Sequence, residues 1–244
     1  MRYKKALLFL LVISLFTSSL AFGADKTLRD TWYTITIGGK IPYGYYNEKL
    51  ELKKDRLFLQ SHVWKTEEDF LNEEQIGAFA EDTLDLKPLF FNFHATYRST
   101  EIAIDGTVKN GNVLSVRTKK GSEQLPIAKR NLPKAAFFSQ FFPVWISKHL
   151  PELKNGKSLA FTTIPEDGFE NGFSPALGRV KPEKPDAFAK ESKTQKLGVT
   201  YRDVQSFWWV EDSGEAVRIE MPAMRTVVER VQKSVALQFL KTSE

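Results

Sequence analysis

The amino-acid sequence predicts a mainly β protein: one large curved antiparallel sheet, a half-barrel, wrapped around a single inserted, kinked helix. Three observations carry this reading. Apolar and polar residues alternate with a period of two along most of the chain, and glycine-bearing turns separate the alternating runs. One segment, within "LPKAAFFSQFFPVWISKHLPEL", changes instead to aromatic spacing of three and four residues. Finally, the 244 residues include no cysteine and 19 Phe, with aromatic residues at 13%. A core of rings rather than disulfides must therefore hold the chain.

The chain opens with a basic "MRYKK", an apolar "ALLFLLVISLF", and a small-residue stretch that places Ala21 and Gly23 ahead of Ala24. This is the pattern of a signal peptide over residues 1–23, cut before Ala24. The apolar run is short for a membrane span, so no stable span is expected after cleavage. No cysteine follows it to carry a lipid. Residues 24–244 then form a single β-rich domain, exported to the periplasm. Removing Arg2, Lys4 and Lys5 lowers the formal charge from +5 to +2. A charge this small argues against nucleic acid or anionic membranes as partners.

In Asp30–Leu52, Tyr33, Ile35 and Ile37 share one strand face, and Gly38-Gly39 supplies the turn. Pro42 blocks a ladder bond, so the next strand is expected near Tyr43. This tyrosine-rich hairpin reads as a structural edge of the sheet, or as the rim of a binding groove. "DRLFLQSHVWK" alternates next, and the acidic run Glu67–Glu74 reads as a loop or short helix. "LKPLFFNFHATYR" and "TEIAIDGTVKNGNVLSVRTKKG" carry the clearest alternation, with Asn110-Gly111 as a type I′ turn and Asp105-Gly106 as a turn or bulge. Strands follow at "EQLPIAKR", "KSLAFTTIP", "KLGVTYRDVQSFWWVED", "EAVRIEMP" and "MRTVVERV". Ser213-Gly214 is a turn, Arg179–Lys196 an extended excursion or loop, and Val231–Leu240 a terminal helix or frayed strand. About ten to twelve strands result, near the upper range of open twisted sheets.

The helix is read from Phe138, Phe141, Phe142, Trp145 and His149, with Pro133 in its first turn and Pro143 as the kink. Its rings either line a cavity under the sheet or plug the concave face. Trp208 and Trp209 divide between the two faces of their strand. Phe138, Phe141, Phe142, Trp145 and Trp209 are the candidate ligand contacts.

Reactive chemistry is sparse. There is no Gly-x-Ser-x-Gly elbow, no phosphate-cradling glycine loop, and no spacing among His62, His94 and His149 that suits a metal. Paired carboxylates such as Glu67-Glu68, Glu73-Glu74, Glu81-Asp82 and Glu211-Asp212 lack an evident desolvating cleft. No catalytic residue, cofactor or metal is assigned.

Four segments share one layout: "TWYTITIGGKIPYGYY", "LKPLFFNFHATYRSTEIAIDGTVKNGNVLSV", "LPKAAFFSQFFPVWISKHLPELKNGKSLAFTTI" and "WWVEDSGEAVRIEMPAMRTVVERV". The layout resembles exported bacterial half-barrel proteins of unknown function and half-barrels of the lipoprotein-localisation type. It is also similar to the β domain that precedes transglutaminase-like modules. The shared features are the turn at Gly39–Gly44, the strand at Gly106–Val108, a helix starting near Leu132-Pro133, and Trp209, Glu211 or Asp212, and Gly214. The resemblance implies a half-barrel in the periplasm and no catalytic residue; the carriers among these families imply lipid or lipoprotein handling.

The expected function is therefore a non-catalytic periplasmic binding or carrier protein for an apolar ligand, such as a lipid, an acyl chain or a lipoprotein segment. Alternatives are a cell-envelope interaction or scaffold module meeting an envelope protein, and an unrecognised hydrolase using the paired carboxylates. The processing step is directly measurable: intact mass and N-terminal sequencing of protein released from the periplasm should give a chain starting at Ala24. Recovery of the intact N-terminus in the membrane fraction would contradict it.

Overall fold

The alternating runs pair into one open sheet of 16 strands in a computed structural model that describes residues 25–67 and 70–240. The signal peptide expected over 1–23 lies outside the described residues, as do Glu68, Asp69 and the polar end 241–244. The first half comprises β1 (Lys26–Ile37), β2 (Ile41–Lys53), β3 (Arg56–Glu67), β4 (Phe70–Glu81), β5 (Pro88–Tyr97), β6 (Thr100–Lys109) and β7 (Val113–Lys120). Short strands β8 (Glu123–Gln124), β9 (Ala128–Asn131) and β10 (Ala136–Phe138) follow, then helix α1 (Phe142–Lys154). The second half holds β11 (Leu159–Ile164), β12 (Ala176–Pro182), helix α2 (Ala187–Glu191), β13 (Gln195–Tyr201), β14 (Val204–Val210), β15 (Ala216–Met221), β16 (Thr226–Val231) and helix α3 (Lys233–Gln238).

The spatial order is β10-β11-β12-β13-β14-β15-β16-β1-β2-β3-β4-β5-β6-β7-β8, with β9 also pairing β7. Among the described strands, only β10 and β11 run parallel. The β1–β2 hairpin, expected at an edge, lies mid-sheet because β16 returns to pair with β1. Its second strand starts at Ile41 rather than near Tyr43. A register shift there sets Thr36 opposite Pro42 and Ile35 opposite Gly44, leaving Tyr43 as the extra residue of a bulge that accommodates the proline.

The acidic run Glu67–Glu74 is likewise mostly strand rather than loop or helix. Lys65 pairs with Glu74 at 2.6 Å, and His62 bonds Glu73, so cross-strand partners offset the clustered charge. "EQLPIAKR" splits into two short strands that both pair with β7. Arg179–Lys196 is shorter as a loop than expected, since it holds the end of β12 and all of α2.

The aromatic insert differs most from expectation. Pro133 precedes β10, Phe138 is in that strand, Phe141 closes a 3-10 turn (Ser139–Phe141), and α1 begins only at Phe142. Pro143 sits in the first helical turn, where its missing N–H costs nothing; the proline inside the helix is Pro151. The three- and four-residue spacing arises because the chain turns a corner from strand to helix with its rings facing the same core.

Helix α1 lies against one end of the curl. Ser147 Oγ donates to the Ser213 carbonyl at 2.6 Å, and Lys148 pairs with Asp82 at 2.7 Å. Gly214, with φ +84°, passes so close to Ser147 that a Cβ would overlap its backbone. Phe137, Phe138, Phe141, Ile146 and Leu153 are fully buried between the helix and the sheet. The two flanks of the sheet meet through side chains: Phe138 of β10 packs edge-on against Phe91 of β5 with ring centroids 5.1 Å apart.

Gly106, expected as a turn or bulge, continues β6 opposite Phe91, and the Phe91 ring lies over its bare Cα. Placing a methyl there pushes the ring out of the closure. Gly106→Ala should cost about 1–3 kcal/mol in urea unfolding. Combined with Phe91→Leu, the loss should fall below the sum of the single losses, because the clash goes with the ring. Strict additivity would show that the ring does not depend on this glycine.

Candidate functional site

The concave face is not filled by the insert. A cavity of about 480 Å³ remains between the start of α1 and the inner faces of β1–β3, β11 and β13–β16. Its walls are mainly apolar: Ile35, Val63, Phe142, Phe161, Trp208 and Ile219 are among them. Alternation places each one. Ile35, Tyr46 and Val63 lie on the inward phase of their strands, while Trp32, Tyr45 and Trp64 lie on the outward phase. The lining is exposed toward the β13–β14 turn, where Val204 is 38% accessible, and buried toward the helix, where Ser61 is 4% and Glu48 5% accessible.

Polar groups reach the cavity at two places. On the β2–β3 wall, Glu48 faces Ser61 across the strand pair, with Tyr46 beside them. Glu48 is held by Arg29, on the inner face of the neighbouring strand β1, in a buried ion pair, and Arg29 Nε has no hydrogen-bond partner among the described residues. Burial lowers the Arg29 pKa and raises that of Tyr46 well above the usual phenol value. Tyr46 stacks on Tyr33 at 4.6 Å, and Tyr33, pushed up to about 12 by burial, bonds the Ala216 carbonyl.

On the opposite wall, the Thr163 and Tyr201 hydroxyls share a 2.8 Å hydrogen bond. Ser139 Oγ donates to Glu166 Oε2 at 2.5 Å, and the Gln140 N–H donates to Oε1 at 3.0 Å. A serine beside a buried carboxylate has the outline of a nucleophile and its base. Here both carboxylate oxygens are engaged in fixing the turn that leads into α1, and the Gln140 N–H that could face an oxyanion is directed at Glu166 instead.

Of the five candidate ligand contacts, the structure brings one to this cavity. Phe142 lines it, edge-on to Trp208 at 5.1 Å. Phe138 and Phe141 are fully buried in the core. Trp145 stacks on His149 at 4.1 Å and lines a separate open groove. Trp209 points to the other face of β14, where its Nε1 donates to Asp186 at 3.1 Å and Phe188 of α2 covers it. Asp186 is held down to about 2, chiefly by the Ala189 backbone N–H and then by Lys196. Trp208, not Trp209, is the ring that meets the cavity. Sequence reasoning also passed over Glu48 and Ser61. The available signal was a charge on the inward phase of an otherwise apolar run, Tyr46-x-Glu48-x-Leu50.

On the outer face, His62 stacks on Trp64 at 3.5 Å, and Trp64 continues through Tyr45 to Trp32. His149 is on α1, apart from His62 and His94. Among the described residues no group of three or more His, Cys, Asp or Glu could hold a metal ion, and no helix is long and apolar enough to cross a membrane.

No protein-family profile matches the chain, nor does any curated protein. Among solved structures it is similar to a β-barrel-like protein of a domain of unknown function, DUF1849, from Brucella abortus. That likeness has 12% identity and a TM-score of 0.50, covering 82% of this chain and 93% of the other. The chain shares a β-barrel-like fold. A DUF1089 family protein from Pseudomonas aeruginosa is also similar, at 14% identity and a TM-score of 0.40 over 73% of this chain and 90% of that one. The DUF1849 likeness concerns the fold alone and assigns no ligand.

Glu166 makes stability depend on pH in a defined direction. Burial raises its pKa from 4.5 to about 7, so the folded chain binds this proton more tightly than the unfolded chain. The contribution is fully present below the unfolded value and is lost as pH rises through about 7. Urea unfolding at mildly acidic and mildly alkaline pH should show the wild type losing up to about 3 kcal/mol more than Glu166→Gln across that interval. Parallel pH profiles would place Glu166 in a solvated setting.

Proposed function

We propose that the protein is a non-catalytic periplasmic binding or carrier protein whose concave face holds an apolar ligand. The observation that carries this reading is the cavity itself: about 480 Å³ lined largely by aliphatic and aromatic side chains. Liquid water occupies about 30 Å³ per molecule, and small-molecule sites run from about 300 to 1,000 Å³. The space is therefore far larger than a packing defect, and its lining favours hydrocarbon over water. A lipid, an acyl chain or an apolar segment of a lipoprotein has the right chemistry. Similarity of the four sequence segments to lipoprotein-localisation half-barrels supports the same choice, as does the leader pattern that would send the chain to the periplasm.

A second reading has its own observation. The outward row Trp32, Tyr45, Trp64 and His62 is only partly buried, and a stacked aromatic strip of this kind suits contact with another envelope protein.

Native mass spectrometry of protein purified from its own envelope separates the two. The carrier reading expects an apolar small molecule to leave with the protein and to be absent from Ile219→Trp, whose indole fills the cavity. Solvent-extractable ligand should fall by at least about tenfold in that variant. A wild-type protein with no adduct, yet binding a partner lost on Trp64→Ala, would favour the interaction module and remove the carrier reading.

A further inference from the structure

The two polar walls of the cavity differ: the Thr163, Tyr201 and Ser139 hydroxyls are already hydrogen-bonded, whereas the Glu48–Ser61–Tyr46 wall has oxygens with no protein partner among the described residues. Glu48 lies on the inward face of β2, its side chain 6% accessible, and it lines the cavity directly across from Ser61. Oε1 is occupied by Arg29, which lies beside it on the inner face of β1 and does not line the cavity. Oε2 has no hydrogen-bond partner among the described residues, and neither do the Tyr46 and Ser61 hydroxyls beside it. Three oxygens without a protein partner among the described residues thus belong to one wall of a mainly apolar space. These atoms open onto the cavity, so an occupant that displaces water from it must replace the hydrogen bonds that water can make to them.

Charge decides which occupant. Glu48 and Arg29 together are neutral. An anionic head would meet the open Glu48 carboxylate oxygen, because Glu48 lines the cavity and Arg29, beside it on the neighbouring strand, does not. A cationic head would leave one uncompensated positive charge in a low-dielectric space. A neutral hydrogen-bond donor satisfies Oε2 and leaves the pair balanced.

We infer that the Glu48–Ser61–Tyr46 wall makes the cavity selective for apolar molecules ending in a neutral donor, a hydroxyl or an amide, and turns away those ending in a carboxylate. This rests on the cavity being the binding site, as proposed above, and it adds the class of ligand.

The test is a displacement series on the mature protein, using an apolar naphthylamine fluorophore as reporter and dodecanol, dodecanamide and dodecanoate as competitors at neutral pH. The alcohol and the amide should displace it at concentrations at least about tenfold lower than the carboxylate. Glu48→Gln alone would strand Arg29 without its counter-charge and invite unfolding. The pair is therefore neutralised together, as Arg29→Met with Glu48→Gln and as Arg29→Met with Glu48→Leu. Both double variants should still bind the fluorophore. The first should accept the carboxylate nearly as well as the alcohol, and the second should lose preference by weakening the alcohol. Fluorophore displaced equally by all three competitors in the wild type overturns the head-group inference and leaves the carrier reading standing. An unchanged preference in both variants overturns it as well. A fluorophore that never binds overturns both.

Discussion

A curled sheet of 16 strands encloses more volume than its own inward side chains can occupy, and the rest of this fold answers that constraint. The insert between β9 and β11 fills one end of the interior with Phe137, Phe138, Phe141, Ile146 and Leu153. Each buried ring contributes roughly 2–3 kcal/mol, which secures that end without disulfides. Toward the β13–β14 and β15–β16 turns nothing comparable enters among the described residues, and the cavity is what remains. Plug and cavity, which stand as alternatives from sequence, are both present at different depths of one concave face.

The same constraint explains how the sheet holds its curvature without a closed hydrogen-bond ladder. Its flanks are joined by ring contacts, Phe91 against Phe138 and Phe91 against Phe173 at 6.1 Å, and by Arg130 donating to the Gly172 carbonyl at 2.9 Å. Ring contacts are less directional than strand pairing. They allow the edges to approach at the angle that the twist dictates.

Charge inside such a structure must be compensated locally. Arg230 forms a paired contact with Glu211 at 2.9 and 2.5 Å, and Arg29 holds Glu48. These buried or half-buried pairs add little net stability after desolvation, but removal of one partner alone is costly. Arg230 borders an open surface groove, whereas Glu48 lines the apolar cavity, so its unoccupied oxygen has consequences for what that cavity accepts. The outward row from Trp32 to His62 is the counterpart on the opposite face of the same strands, reached by the same alternation.

By itself the sequence determined the class of fold, most strand positions, and the turns at Gly38-Gly39, Asn110-Gly111 and Ser213-Gly214, because period-two patterning and positive-φ glycines act within a few residues. It also located the ring-rich insert. Only the tertiary structure decided that β1 and β2 lie mid-sheet, that Phe138 belongs to a strand and Phe142 to a helix, and that Trp208 rather than Trp209 faces the interior. Alternation says that neighbours point to opposite faces without saying which face is inside; strand order and the curl settle that. Glu48 is the clearest case: its inward phase was legible, but a lone charge acquires meaning only when Arg29 pairs with it from the next strand and it borders open space.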